Sequence, residues 1–143
     1  MDAMSTLPPV MATPLRRIEN PKGDIFHGMK ASDAGFAGFG EAYFTTIIAS
    51  ETKGWKRHTT MTMNLIVPLG MVRFYIHDDT TGRTASYEIG ASNYQRLTIP
   101  PGYWVGFQGL TSETNLILNV ASLEHNPEEA ANVPLGTYPL AQR

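Results

Sequence analysis

One hexapeptide concentrates the reactive side chains of this chain: Lys53-Gly54-Trp55-Lys56-Arg57-His58 places three cations and one imidazole within six residues. An imidazole titrates near neutrality and can take a proton from carbon, while an ammonium group beside it steadies the negative charge that forms on a neighbouring oxygen. Burial beside another cation can also lower a lysine enough to exchange these roles. Read as a strand, the segment sends Lys56 and His58 to one face and Trp55 and Arg57 to the other. If the Lys56 and His58 face is enclosed, a base and a cation share a cavity. If it is solvated, the cations only keep an edge strand from pairing with a neighbour.

Other side chains supply the remaining parts of such a site. Asn64 and Asn119 are polar positions on predicted strands, and their convergence with Lys56 and His58 on one apolar-walled pocket would mark a ligand site. Tyr75 and Tyr43 are candidate proton donors, and equally packed aromatics with the hydroxyl at the rim. Lys22, Lys53, Arg57 and Arg73 are candidates to hold an anion, and Trp55, Tyr103 or Trp104 offer flat rings for stacking. Trp104 in its Pro-Gly-Tyr-Trp turn also suits a core plug.

Composition removes several classes of function. The 143 residues include no cysteine, which excludes disulfide scaffolds, thiolate catalysis and cysteine-based zinc sites. Apart from His58, the histidines His27, His77 and His125 stand singly, so no metal-ligand set forms, and a site with neither metal nor other cofactor is expected. Eleven Lys and Arg against 13 Asp and Glu give a formal net charge of −2, which points away from nucleic acid and from anionic membranes. No apolar run approaches the roughly 18 residues of a membrane span, and the amino terminus does not read as a signal peptide; a cytoplasmic protein is the expectation.

The elements that must position these residues are short. Residues 1–15, with three prolines and little periodicity, read as a flexible or exchanged arm, ordered only if it docks; 16–125 read as the body and 126–143 as a tail. In the body, β-rich runs over 24–30, 41–49, 55–68, 71–77, 84–89, 95–99, 103–107 and 115–121 alternate with turn signals at about the 8–12-residue spacing of a sandwich or barrel. Period 2 is clear: Met61, Met63, Leu65 and Val67 alternate with Thr62, Asn64 and Ile66, and Val72, Phe74 and Ile76 with Arg73, Tyr75 and His77. Pro68-Leu69-Gly70 and Pro100-Pro101-Gly102 mark turns. Asn126 as N-cap, Pro127 and the acidic pair Glu128 and Glu129 start a helical segment of no more than a turn or two. The expected fold class is all-β, an antiparallel double-sheet jelly roll.

The order of these segments resembles the dTDP-4-dehydrorhamnose 3,5-epimerase family of cupins from about Asn20 to Ala121. The family's Arg-Gly-Leu-His-Tyr-Gln is similar to Lys53 through His58, its Lys-Leu-Val and Gly-x-Val to Asn64-Leu65-Ile66 and Gly70-Met71-Val72, and its Ile-Pro-x-Gly-Phe-Ala-His-Gly-Phe to Ile99 through Phe107. Its early Asp-x-Arg-Gly resembles Asn20-Pro21-Lys22-Gly23. The resemblance implies a jelly-roll cupin (a double-stranded β-helix) and a homodimer built partly by exchanged amino-terminal strands. It also implies proton abstraction next to the ketone of a nucleotide-linked 4-keto-6-deoxy sugar.

The family's catalytic set is largely replaced. Lys56 stands where it keeps its histidine base, with His58 two residues on; Asn64, Val105 and Leu118 stand at its lysine, second histidine and tyrosine, and no Asp follows Asp79 to hold the base. The expected catalytic residues are therefore His58 and Lys56, with Lys22, Lys53, Arg57, Asn64, Arg73, Tyr75, Trp104 and Asn119 as substrate contacts. The alternatives are a non-catalytic cupin that binds a sugar or nucleotide sugar, and a structural jelly roll without a cavity.

Overall fold

The computed structural model describes residues 4–140. Period-2 alternation gives each run one apolar face, and two sheets bury those faces against each other. The first sheet has the order β1 (Met11–Pro14), β9 (Gln95–Ile99), β6 (Met63–Leu69), β11 (Leu116–Ala121), β4 (Glu41–Thr46). The second has the order β12 (Ala130–Asn132), β5 (Thr52–His58), β10 (Trp104–Gly109), β7 (Met71–Asp78), β8 (Arg83–Gly90). A small ribbon joins β2 (Arg17–Ile18) to β3 (Ile25–Phe26). All pairings between these strands are antiparallel, as in the expected all-β jelly roll.

The inward residues are those picked out by alternation: Met63, Leu65 and Val67 from β6 share one core with Val72, Phe74 and Ile76 from β7, joined by Leu97 and Ile99 from β9 and Ile117 from β11 on either side of β6. Each fully buried side chain of this size contributes about 1.5–3 kcal/mol by leaving water. At the β6–β7 turn Gly70 takes φ 78°, and a Cβ there would stand 2.4 Å from Asn115 Oδ1, so the left-handed corner needs glycine. Gly102 (φ 106°) ends the Pro-Pro-Gly turn and donates its N–H to the His58 carbonyl at 2.8 Å, tying that turn to the end of β5.

The structure divides the run 55–68 that the sequence presents as one. β5 ends at His58, and β6 begins at Met63 in the other sheet. At the corner the Thr60 and Met61 amides leave the ladder and donate to the Glu129 carboxylate at 2.9 and 2.8 Å. Alternation continues through a corner of this kind, which is why the pattern hides it.

Both ends of the described chain lie against the body. Tyr103 donates its hydroxyl to the Pro8 carbonyl at 2.5 Å, Ser5 bonds to Asp78, and β1 pairs with β9 in the register Met11 to Thr98. In the tail, Asn126 caps a 3-10 turn over Pro127–Glu129 by accepting the Glu128 amide at 3.1 Å. Residues 1–3 of the arm and 141–143 of the tail lie outside the described residues. Among the described residues no helix is long and apolar enough to cross a membrane.

Candidate active site

Between the sheets, at the end where β4 faces β5, lies a cavity of about 300 Å³. Its walls are apolar, formed by Met63, Leu65, Phe74, Val105, Phe107 and Ile117, and five side chains bring polarity into it: Lys56 and His58 from β5, Tyr43 and Thr45 from β4 and Asn119 from β11. A second recess of about 250 Å³ shares Tyr43, Lys56 and His58 and is completed by Glu41, Met61 and His125. The face of β5 that carries Lys56 and His58 is thus the one that lines the cavity.

His58 is buried, and its Nδ1 lies 2.6 Å from Glu129 Oε1. The other carboxylate oxygen accepts the Thr60 and Met61 amides. Burial pushes the Glu129 carboxyl up, but the His58 bond and these two amides outweigh it and hold the group below the ordinary value of 4.5. A carboxylate at this position selects the His58 tautomer with hydrogen on Nδ1. Nε2 is then left with a free lone pair, the arrangement of a general base held by an acidic partner. In the sequence Glu129 stands only as a first-turn charge after Asn126 and Pro127, and the acid that holds the base is a Glu where the resemblance implies an Asp. That acid beside a capping residue was the available signal; its 71-residue separation from His58 concealed the contact.

Facing His58 across the cavity, Tyr43 accepts a hydrogen bond from Asn119 Nδ2 at 3.1 Å. The orientation of the Asn119 amide is set by its oxygen, which accepts the Asn64 N–H at 3.3 Å. With Asn119 donating, the Tyr43 hydroxyl hydrogen is directed elsewhere, and the cavity offers that direction. Lys56 pairs with no carboxylate among the described residues. Lys53 does not line the cavity; its Nζ donates to the Thr46 carbonyl at 3.2 Å and sits 5.9 Å from the ring centre of Phe107, a cavity residue.

The remaining sequence candidates lie elsewhere. Asn64 faces out of the first sheet, where its Nδ2 donates to the Gly35 carbonyl at 3.0 Å and its Oδ1 accepts from Thr98 at 2.5 Å. Arg57, Arg73, Tyr75 and Trp104 occupy the outer face of the second sheet. There Arg57 lies 4.7 Å over the Trp104 ring, Arg73 meets Glu88, and Tyr75 donates to Gln108 at 3.1 Å. Lys22 sits in the exposed β2–β3 turn, its amide donating to Asn20 Oδ1 at 2.8 Å. Among the described residues no group of three or more His, Cys, Asp or Glu is placed to hold a metal ion.

Comparison with known proteins agrees with this architecture. No family model matches the chain. A dTDP sugar isomerase from Desulfovibrio desulfuricans superposes with a TM-score of 0.87 at 29% identity, covering 94% of this chain and 90% of that one. A dTDP-6-deoxy-D-glucose-3,5-epimerase from Legionella pneumophila, solved with dTDP-4-keto-L-rhamnose, superposes with a TM-score of 0.77 at 15% identity, over 92% and 79% of the two chains. A probable low-salt glycan biosynthesis epimerase, Agl13 of Haloferax volcanii, is 27% identical over 84 residues; the match spans about half of either chain, 54% of each.

Proposed function

We propose that this chain, a jelly-roll cupin of the dTDP-4-dehydrorhamnose 3,5-epimerase type and so built around a pocket between two sheets, is an epimerase of a nucleotide-linked 4-keto-6-deoxy sugar. The observation that carries the proposal is the Glu129-held His58 in an apolar cavity, beside an unpaired Lys56 and opposite Tyr43.

In the first step His58 Nε2 takes the proton from the carbon next to the ketone, and the C–H electron pair moves to the ketone oxygen as an enolate. Glu129 stabilises the imidazolium, and the Lys56 ammonium group compensates the enolate in surroundings of low polarity. In the second step the electron pair returns, and the same carbon takes the Tyr43 hydroxyl proton. Because β4 and β5 belong to opposing sheets, that proton comes from the face opposite to the one that lost it, which inverts the centre. Solvent then reprotonates Tyr43 and removes the proton from His58.

At the low end of the 300–1,000 Å³ range of small-molecule pockets, the cavity suits the sugar ring, with the diphosphate outside at Lys53. The homodimer with exchanged amino-terminal strands that the resemblance implies is part of this proposal. Phe44 and Ile48, 65% and 76% exposed at edge strand β4 and just beyond it, support that expectation.

The test incubates the protein with dTDP-4-keto-6-deoxyglucose in D2O and follows the C3 and C5 protons by NMR. Deuterium uptake that is lost in His58→Ala and Lys56→Ala supports the proposal; uptake no greater than in those variants removes the enolate mechanism for this substrate. Val105 and Leu118, which stand at catalytic positions of the resembled family, favour a second reading as a non-catalytic sugar-nucleotide binder. Saturable binding by calorimetry without any uptake would select it.

A further inference from the structure

The segment after Glu129 leaves the cavity and runs across the outside of the second sheet. β12 adds to the edge of β5 in the register Ala130 to His58, Ala131 to Arg57 and Asn132 to Lys56. Beyond it, Trp55 and Val133 exchange backbone hydrogen bonds at 3.1 and 3.2 Å, and Trp55 Nε1 donates to the Leu135 carbonyl at 2.8 Å. The Tyr138 ring stacks on His77 at 3.9 Å between centres and meets Trp55 edge-on at 5.7 Å and Trp104 at 5.7 Å. This aromatic cluster is separate from the main core, and Trp55 within it is wholly buried. β5 is therefore used on both sides: one faces the cavity, and the other is the seat of the chain that follows Glu129.

We infer that residues 130–140 form a strap whose aromatic anchor, Tyr138, is a positioning residue for His58, acting through Glu129. On its amino-terminal side Glu129 is tied by its own amide, which donates to the Asn126 carbonyl at 3.0 Å, and by the Thr59 amide and hydroxyl, which donate to its carbonyl at 3.0 and 2.8 Å; on its carboxy-terminal side it is carried by the strap. Its 3-10 turn is three residues long, and the amides it accepts belong to the Thr60 and Met61 corner, whose own bonds depend on it. With the anchor loosened, the Glu129 backbone keeps its Thr59 and Asn126 bonds but loses the support that sets its carboxylate against Nδ1, and His58 is free to take the other tautomer.

The readout is the downfield proton NMR signal of the His58 Nδ1–H···Glu129 bond, identified by its absence in Glu129→Gln. Tyr138→Ala is expected to lose this signal while core methyl signals persist, and Tyr138→Phe, which keeps the ring, to retain it. A signal unchanged in Tyr138→Ala overturns the inference. Native-state hydrogen exchange of the unaltered protein gives a second measure if Tyr138→Ala does not fold. The Val133, Thr60 and Met61 amides are expected to exchange as one group ahead of the core; exchange of Thr60 and Met61 together with core amides such as Val72 refutes the strap. The link to catalysis rests on the proposed role of His58, whereas the proton signal is read without substrate. A strap that passes with no deuterium uptake therefore removes the proposed reaction and leaves the strap standing.

Discussion

Glu129 accepts hydrogen from His58 Nδ1 at 2.6 Å with one carboxylate oxygen and holds the Thr60 and Met61 amides with the other. One side chain thus orients the proposed base and closes the corner at which the chain crosses from the second sheet to the first. Site and fold share a single joint, and its removal should be felt in both.

The first consequence is a pH dependence of stability. The Glu129 carboxyl is held below 4.5 in the folded chain, so its contribution is fully present above 4.5 and is lost as pH falls through the lower folded value. Urea unfolding followed from pH 7 downward should show stability declining below about 4.5, with a shallower decline in Glu129→Gln. Asp24, Asp33 and Asp78 are held low as well and keep part of the slope in that variant. Equal slopes in the two proteins would contradict the assignment.

Tyr43→Phe should separate the two halves of the reaction. Loss of a positioned acid costs about 10²–10⁴-fold, and here the cost falls on return of the proton from the β4 side. Inversion is expected to drop by that amount while deuterium uptake through His58 persists. NMR that counts both events in one sample decides the matter, and a parallel loss of both would assign Tyr43 another role.

Lys56 and Lys53 should differ in kind. Lys56 lines the cavity, where the proposed enolate would carry its charge, so Lys56→Ala should lower kcat by about 10²–10³-fold. Lys53, beside the cavity residue Phe107, is proposed to hold the diphosphate, an interaction that is the same in ground and transition states. Lys53→Ala should therefore raise KM with kcat nearly unchanged. Steady-state kinetics on both variants makes the comparison.

The exposed side chains at β4 predict the behaviour of the chain in solution. Light scattering should report a dimer, and Phe44→Asp, which sets a charge on a residue 65% exposed in the single chain, should shift it toward monomer. A monomeric unaltered protein would remove the homodimer from the proposal.

Removing core volume gives a calibration that is independent of function. Leu97 is fully buried between the sheets, and Leu97→Ala should cost about 2–5 kcal/mol in chemical unfolding.

Much of the architecture was legible because alternation is a local property. Met63, Leu65 and Val67 face inward as their period-2 pattern requires, and Gly70 and Gly102 make their turns through positive φ. The pairing of Lys56 with His58 on one face needed nothing beyond strand geometry. The corner at 59–62 was not legible, because its amides are satisfied by a side chain some 70 positions away. Nor did composition distinguish Asn119, which enters the cavity, from Asn64, which faces outward on the neighbouring strand.

The sequence by itself determined that Lys56 and His58 lie on one side of a strand and Trp55 and Arg57 on the other, since successive side chains of an extended chain point in opposite directions. Only the tertiary structure decided which side became the cavity. That choice follows from what covers each face: the opposing sheet encloses Lys56 and His58 without filling the space above them, while the segment after Glu129, with Tyr138, buries Trp55 on the other side, and Glu129 itself meets His58.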